Sequence, residues 1–152
     1  MPTLELSPSD LVRLLRDLHV KLRRALADLD EESINWTPGP ETSSIAGLVT
    51  HLLSSEQRNL LRVTGEDPPR NPGDIATRAR DAQELLRAVD AADARLAEVP
   101  ERLATQLVDV VQHPVRGPQP ASVLLLETYG HLREHLAQLE LTRQLALQRT
   151  PR

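Results

Sequence analysis

Apolar residues recur every three or four positions along four long stretches of the chain, which is the spacing of one buried face of an α-helix. The stretches cover residues 8–29, 45–63, 75–99 and 121–147. Charged and polar residues fill the positions between, so each helix has one face to bury. The pattern therefore predicts four amphipathic helices, and four such helices pack as a four-helix bundle.

Residues suited to helix ends mark several of the boundaries. Ser7 precedes Pro8, and serine followed by proline is common where a helix begins. Ser43 or Ser44 is suited to cap the second helix. Pro100 is expected to end the third helix, because proline cannot donate the hydrogen bond that a helix interior needs.

The connections between the helices are rich in turn residues. Proline and glycine are frequent in residues 35–44 and 65–74, which predicts loops. Residues 105–111 include β-branched side chains and suit an extended chain, whereas residues 113–120 are expected to be a loop. This segment forms a long crossover between helices 3 and 4, and the chain, residues 1–152, is predicted to be a single domain.

The composition supports an all-α fold and removes several kinds of chemistry. The chain has no Phe, one Trp and one Tyr, and its apolar residues are mostly Leu and Ala, which are strong helix formers. It has no cysteine. Disulfides, thiolate metal ligands and a cysteine nucleophile are therefore excluded, and a reducing cytoplasm is the expected location.

Charge and hydropathy bear on the expected partners. The net charge is −4, with acidic and basic residues interspersed, so no nucleic-acid partner is expected. No apolar run approaches the ~20 residues of a membrane span, and the first residues do not resemble a signal peptide. We expect a cytoplasmic protein that acts on a small molecule without a membrane partner.

Two histidines one helical turn apart are the first candidate site. His131 and His135 lie in the stretch YGHLREHLAQ at the edge of the apolar arc of the fourth helix, and imidazole suits zinc, nickel, copper and iron. Such a pair is a weak signal by itself. A third ligand could come from His51, at the edge of the second helix's arc, or less readily from His19 or His113.

Two blocks of the sequence resemble the DinB-like (YfiT-like) metalloenzyme family. In INWTPGPETSSIAGLVTHLLSSEQ, residues 34–57, a Trp-x-Pro loop leads to a Ser-Ile helix start and then to a histidine with an acidic residue five positions later. In YGHLREHLAQLELTR, residues 129–143, the closing helix carries His-x-x-x-His. The order and separation of the blocks also fit, so the resemblance covers nearly the whole chain.

The resemblance implies a fold and a ligand set. The family fold is a four-helix bundle of unusual handedness with a long crossover, and its members often form homodimers. One histidine of the second helix and two of the fourth bind a divalent metal, usually nickel or zinc. Carried over to this chain, the metal ligands are His51, His131 and His135.

The resemblance also suggests reactions, although a shared fold does not transfer a reaction. Characterised relatives include thiol S-transferases that use bacillithiol or mycothiol, and a mycothiol-dependent maleylpyruvate isomerase. We therefore expect a metal-dependent thiol S-transferase or hydrolase, with a low-molecular-weight thiol as a possible second cofactor. The alternative is a non-catalytic metal-binding or stress-response bundle, and an interaction bundle without metal is a third.

Several polar residues near these histidines have candidate roles. Glu127, Glu134 and Gln138 flank the histidine strip and are candidates for a general base or for orienting the imidazoles, although a solvated charge is the simpler interpretation of both glutamates. Glu56 falls inside an apolar arc and is expected to accept hydrogen bonds from a nearby loop, with the loop that carries Trp36 as a candidate and a catalytic role as the lesser alternative. Trp36 is expected to anchor that loop.

Overall fold

Five helices and two short strands make up the regular structure of the described residues. The structure is a computed structural model; it describes residues 7–69, 76–106 and 108–149, except for the side chains of residues 8 and 103–106. Its elements, in chain order, are α1 (Pro8–Leu26), α2 (Glu31–Asn35), α3 (Ile45–Val63), α4 (Ala82–Gln106), β1 (Val110–His113), β2 (Gly117–Pro120) and α5 (Ala121–Gln148). The predicted all-α fold is confirmed.

The four long helices form the bundle. Helices α1 and α3 each pack against both α4 and α5, so α1 and α3 face each other across the bundle. Leucines from all four helices fill the centre, and the fully buried ones include Leu15, Leu52, Leu96 and Leu132. The packing of α3 beside α5 sets the second predicted helix against the last one, which is the arrangement that a shared histidine site needs.

Serine side chains begin two of the long helices. The backbone N–H of Asp10 donates to Ser7 Oγ at 3.1 Å, and the Ser7 N–H donates back to the Asp10 carboxylate at 3.1 Å. This reciprocal capping satisfies two N–H groups that a helix start leaves free. At the start of α3, Ser44 is the cap, since the Gly47 N–H donates to its Oγ at 3.0 Å.

The prediction that Pro100 ends the third helix is wrong. Helix α4 begins at Ala82 and continues through Pro100 to Gln106, so the helix loses only the hydrogen bond that proline cannot donate. Tertiary contacts hold the chain beyond it: Arg102 pairs with Glu66, and the Val108 N–H donates to the Val63 carbonyl at 3.1 Å. The predicted start at residue 75 lies outside the described residues, and residues 76–81 precede the helix.

The first helix and the segment after it also differ from the prediction. Helix α1 ends at Leu26, three residues early, and the chain turns at Asp28, whose φ is 62°. The short helix α2, which the apolar pattern did not predict, follows with Asp30 as its cap. The Asp30 side chain accepts the Ser33 N–H at 2.8 Å.

The crossover from α4 to α5 contains a β-hairpin. Strands β1 and β2 pair antiparallel, with Val110 opposite Pro120 and His113 opposite Gly117. The prediction of a loop over residues 113–120 is therefore wrong for residues 117–120, which form β2. The hairpin packs against α3 and α5, which brings its turn beside the helices that carry the candidate metal ligands.

No helix in the part of the chain that the structure describes combines the length and apolar character needed to span a membrane.

Candidate metal centre

Three histidines from two adjacent helices face one another. His51 lies in the middle of α3, and His131 and His135 lie one turn apart on α5. Their ring centroids are 5.3 Å apart for His51 and His131, 4.8 Å for His51 and His135, and 4.3 Å for His131 and His135. The three residues that the sequence singled out as ligands therefore lie together.

The three imidazoles can hold a metal ion. One ring nitrogen from each lies within 4.8 Å of the other two. A tetrahedral metal with Zn–N bonds of 2.0–2.1 Å places its donors about 3.4 Å apart, so modest side-chain rotations would close the set. Three neutral donors do not complete a four-coordinate shell, and an open position is typical of catalytic sites rather than structural ones.

Partial burial keeps two of these histidines in the neutral form that binds metals. The pKa of His51 is lowered by burial, then by the nearby His135 and Arg58. The pKa of His131 is lowered by burial and by the two other histidines, against a smaller opposing effect of Glu134. Burial acts this way because a low-polarity surrounding disfavours the charged imidazolium. The lowered pKa values therefore reduce the competition from protons at these two ligands.

Gln138 orients one of the three rings. His135 Nδ1 lies 2.9 Å from Gln138 Oε1. Because an amide oxygen can only accept, Nδ1 must carry the proton, and Nε2 of His135 is left with its lone pair for a metal. The sequence had placed Gln138 among the candidates for such an orienting group, and the structure brings it into contact with His135.

The two candidate glutamates differ in their surroundings. Glu127 lies one turn before His131, where its carboxylate pairs with Arg116 and accepts from Gln119 Nε2 at 3.3 Å. Glu134 is exposed, and its charge acts on His131. Glu127 is the one that lines a pocket beside the histidines.

The remaining histidines lie outside the cluster. His19 is fully buried, with Nε2 at 2.9 Å from Glu56 Oε2 and Nδ1 at 3.3 Å from Asp93 Oδ1. His113 lies at the hairpin turn, where its Nδ1 accepts the backbone N–H groups of Val115 and Arg116. That bonding leaves the proton on Nε2 of His113.

The predicted partner of Glu56 is wrong. The glutamate is buried, as its position in an apolar arc indicated, but it pairs with His19 of α1 instead of the loop that carries Trp36. It does so because its position on α3 points across the bundle towards α1. Trp36 ends α2 and has the guanidinium of Arg149 5.9 Å from its ring centre, so it contacts the end of α5.

Two pockets flank the histidines. One, of about 320 Å³, has His131 in its wall together with Arg58, Arg62 and Arg116. The other, of about 460 Å³, includes Gln138 and the side chains of Leu48, Leu141 and Leu145. The basic pocket therefore reaches the candidate metal centre through His131, whereas the more apolar pocket reaches Gln138, the hydrogen-bond partner of His135.

The sequence interpretation missed the arginines of the basic pocket. Arg58 follows His51 by two helical turns, and Arg62 follows Arg58 by one more. Residues at these spacings share one side of a helix. The signal was therefore present, but it is indistinguishable from ordinary surface charge until the neighbouring hairpin is placed.

A family model matches most of the chain. Residues 14–139 match the model of the DinB superfamily. The chain belongs to the DinB superfamily. No curated protein matches the sequence.

Two solved structures have a similar fold. The crystal structure of a DinB-like protein from Bacillus cereus superposes with a TM-score of 0.70 at 15% identity, covering 95% of each chain. The crystal structure of a conserved protein from Enterococcus faecalis gives a TM-score of 0.65 at 16% identity, covering 91% of this chain and 96% of the other. At these identities the likeness concerns the fold alone.

Proposed function

We propose that this DinB protein is a metal-dependent enzyme that acts on a small molecule, with His51, His131 and His135 as the ligands of a divalent nickel or zinc ion. The proposal depends on one observation: three half-buried imidazoles from α3 and α5 face one another, with ring centroids 4.3–5.3 Å apart. Fully solvated histidines would have no reason to converge in this way.

A divalent ion held by three neutral imidazoles supplies Lewis acidity at an open coordination position. Orientation of the ligands and proton transfer would be supplied by side chains of the protein. Gln138 fixes the tautomer and orientation of His135 through the 2.9 Å hydrogen bond. Glu127 is the better placed of the two glutamates for proton transfer, because it lines the pocket that His131 shares. Glu134 acts through its charge on His131.

Thiol transfer is the reaction that we favour, and hydrolysis is the second. The chain has no cysteine, so a transferred thiol must come from solution as a low-molecular-weight compound. The basic pocket, which includes His131, and the more apolar pocket, which includes Gln138, would give a thiol and an electrophile separate binding places. A hydrolase would need only one of them.

Metal analysis tests the ligand set. Protein purified without a histidine tag and equilibrated with nickel or zinc should retain one ion per chain after desalting. His51→Ala should lose that ion, since two remaining imidazoles bind a divalent ion far more weakly. His113→Ala is the matched control, because it removes a histidine near the cluster that is not part of it. Full retention of the ion in His51→Ala would refute the site.

Activity assays separate an enzyme from a non-catalytic metal-binding protein. The metal-loaded protein should transfer a small thiol to a reactive electrophile, and His135→Ala should abolish this transfer. Gln138→Ala should bind the ion more weakly, by the 10–100-fold typical of lost orienting groups. Stoichiometric metal binding without turnover of any thiol or ester tested would favour the non-catalytic, stress-response alternative.

The two glutamates are tested in the same assay. Glu127→Gln should lower the rate of turnover while the ion is retained, because it removes a proton acceptor from the pocket wall. Glu134→Gln should have a smaller effect. The reverse order would contradict the roles proposed here.

A further inference from the structure

The basic pocket lies between α3, the hairpin turn and α5. Its volume is about 320 Å³, near the lower end for small-molecule pockets. Arg58 and Arg62 of α3 line one side, His113 and Arg116 come from the hairpin, and Glu127 and His131 come from α5. Because His131 is also a proposed metal ligand, a molecule in this pocket lies beside the metal centre.

The charges in the pocket are unbalanced. Three guanidinium groups face one carboxylate, and that carboxylate, Glu127, pairs with Arg116. Arg58 and Arg62 have no carboxylate within ion-pair distance among the residues that the structure describes. The two unpaired positive charges lie one helical turn apart, where like charges repel.

The two arginines are held in place by neutral groups. Arg62 Nη1 donates to Asn59 Oδ1 at 2.9 Å, and Asn59 in turn donates to Thr128 Oγ1 at 3.0 Å. Arg58 has one long hydrogen bond, from Nη2 to Ser55 Oγ at 3.4 Å, and its Nε is buried without a hydrogen-bond partner in the described structure. A buried N–H group without a partner is costly unless a ligand satisfies it.

Burial and mutual repulsion act on these groups together. Burial, and then the neighbouring Arg58, lower the pKa of Arg62. Arg116 and Arg62, after burial, lower the pKa of His113. The pocket is therefore a region of positive potential, and its guanidinium forks suit the planar oxygen pairs of carboxylate or the oxygens of phosphate.

We propose that this pocket binds an anionic oxygen group of the substrate, a carboxylate or a phosphate, with Arg58 and Arg62 as its cationic partners. The Nε2–H of His113 is a further donor in the pocket wall. Binding here would place the rest of the substrate against His131. The substrates expected for this protein are therefore small anionic molecules. This inference rests on the proposed function.

The test uses metal-free protein and two simple probes. Inorganic phosphate and acetate are titrated separately at constant ionic strength, which is maintained with chloride so that general screening does not change. The Nε–H signals of the arginines are followed by NMR, and single variants assign them. Both probes, or one of them, should shift the signals of Arg58 and Arg62 in a saturable way. The preferred probe identifies the group as phosphate or carboxylate.

Single substitutions then decide whether these arginines carry the binding. Arg58→Gln and Arg62→Gln should each lower the binding affinity for the preferred probe by about 10-fold, equivalent to about 1.4 kcal/mol. Arg87→Gln removes the same charge from an exposed position of α4 and should leave the affinity unchanged. Circular dichroism checks folding, and either pocket variant suffices for the test if the other does not fold.

Two outcomes would overturn the proposal. If the wild type shows no saturable binding of either probe, the pocket has no specific anion site. The same conclusion follows if all three variants weaken binding equally. His51→Ala should lose the metal but retain the anion. Because anion binding is measured on metal-free protein, a failure of anion binding and a failure of metal binding remain distinguishable.

Discussion

Replacing His19 with leucine should destabilise the protein more than replacing Glu56, although the two residues form one buried pair. His19 is 0% exposed and Glu56 2% exposed, and the atoms His19 Nε2 and Glu56 Oε2 are 2.9 Å apart. His19 has a second partner in Asp93, whereas Glu56 has no second hydrogen-bond partner among the described residues. The two substitutions therefore leave different groups unsatisfied.

The magnitudes follow from that difference. His19→Leu leaves a buried carboxylate without a partner, and removing one member of such a pair typically costs about 3–5 kcal/mol. Glu56→Leu leaves one imidazole nitrogen unsatisfied while Asp93 still bonds the other, and a single unsatisfied polar group costs about 1–3 kcal/mol. The double variant should be more stable than His19→Leu alone, because leucines of similar volume leave no buried polar group.

Urea unfolding at pH 7 measures all three variants. With a slope of about 2 kcal/mol per molar urea, a difference of about 2 kcal/mol separates the two single-variant midpoints by roughly 1 M. Asp90→Asn is the control, because it breaks the exposed pair of Arg23 and Asp90 and should change the midpoint little. A midpoint for Glu56→Leu at or below that of His19→Leu would refute the reasoning, as would strict additivity in the double variant.

Three further predictions test other features of the protein. Asn35→Ala should lower the free energy of unfolding by about 1–3 kcal/mol, because the Asn35 amide donates to the Ala79 carbonyl at 2.7 Å and accepts the Ala79 N–H at 3.0 Å; an unchanged urea midpoint would contradict this. Hydrogen bonding from Arg16 lowers the pKa of Asp93 below its ordinary value of 3.8. The stabilisation by Asp93 should therefore be fully present well above that ordinary value and be lost as the pH falls through the lowered pKa; Asp93→Asn should not show that loss in acid titrations. The resemblance to the DinB-like family implies a homodimer, so the wild type should sediment as a dimer; a monomeric wild type would contradict that expectation.

Hydrophobic periodicity predicted the long helices well where the local and tertiary preferences agree. Helix α3 begins and ends where its apolar pattern and serine cap indicated, and α5 begins at the predicted residue. Pro100 is the opposite case, since the contacts of residues beyond it outweigh a local preference. The β-branched side chains indicated an extended chain at residues 110–111, where β1 begins, but the sequence did not predict the hairpin. Each strand is four residues long, and β2 has the sequence Gly-Pro-Gln-Pro, which looks like a turn.

The candidate site shows the same division between local and long-range information. Spacing alone places His131 and His135 on one face of α5, but it does not reveal which helix lies opposite. The resemblance to DinB-like proteins supplied His51 as the third residue, and the packing of α3 against α5 accounts for its position. The burial of Glu56 followed from its place in an apolar arc, whereas its partner depended on which helix lies across the bundle.

The two proposed sites affect each other through charge. Three neutral imidazoles leave a divalent ion with its full positive charge. The positive charge of Arg58 also acts on this site, since it lowers the pKa values of His51 and His131. An empty basic pocket would therefore weaken metal binding, and an anion in the pocket would relieve the repulsion. Because such coupling is reciprocal, the metal must strengthen anion binding by the same factor. The arginines thus favour the complex that contains both the ion and an anionic substrate over either one alone.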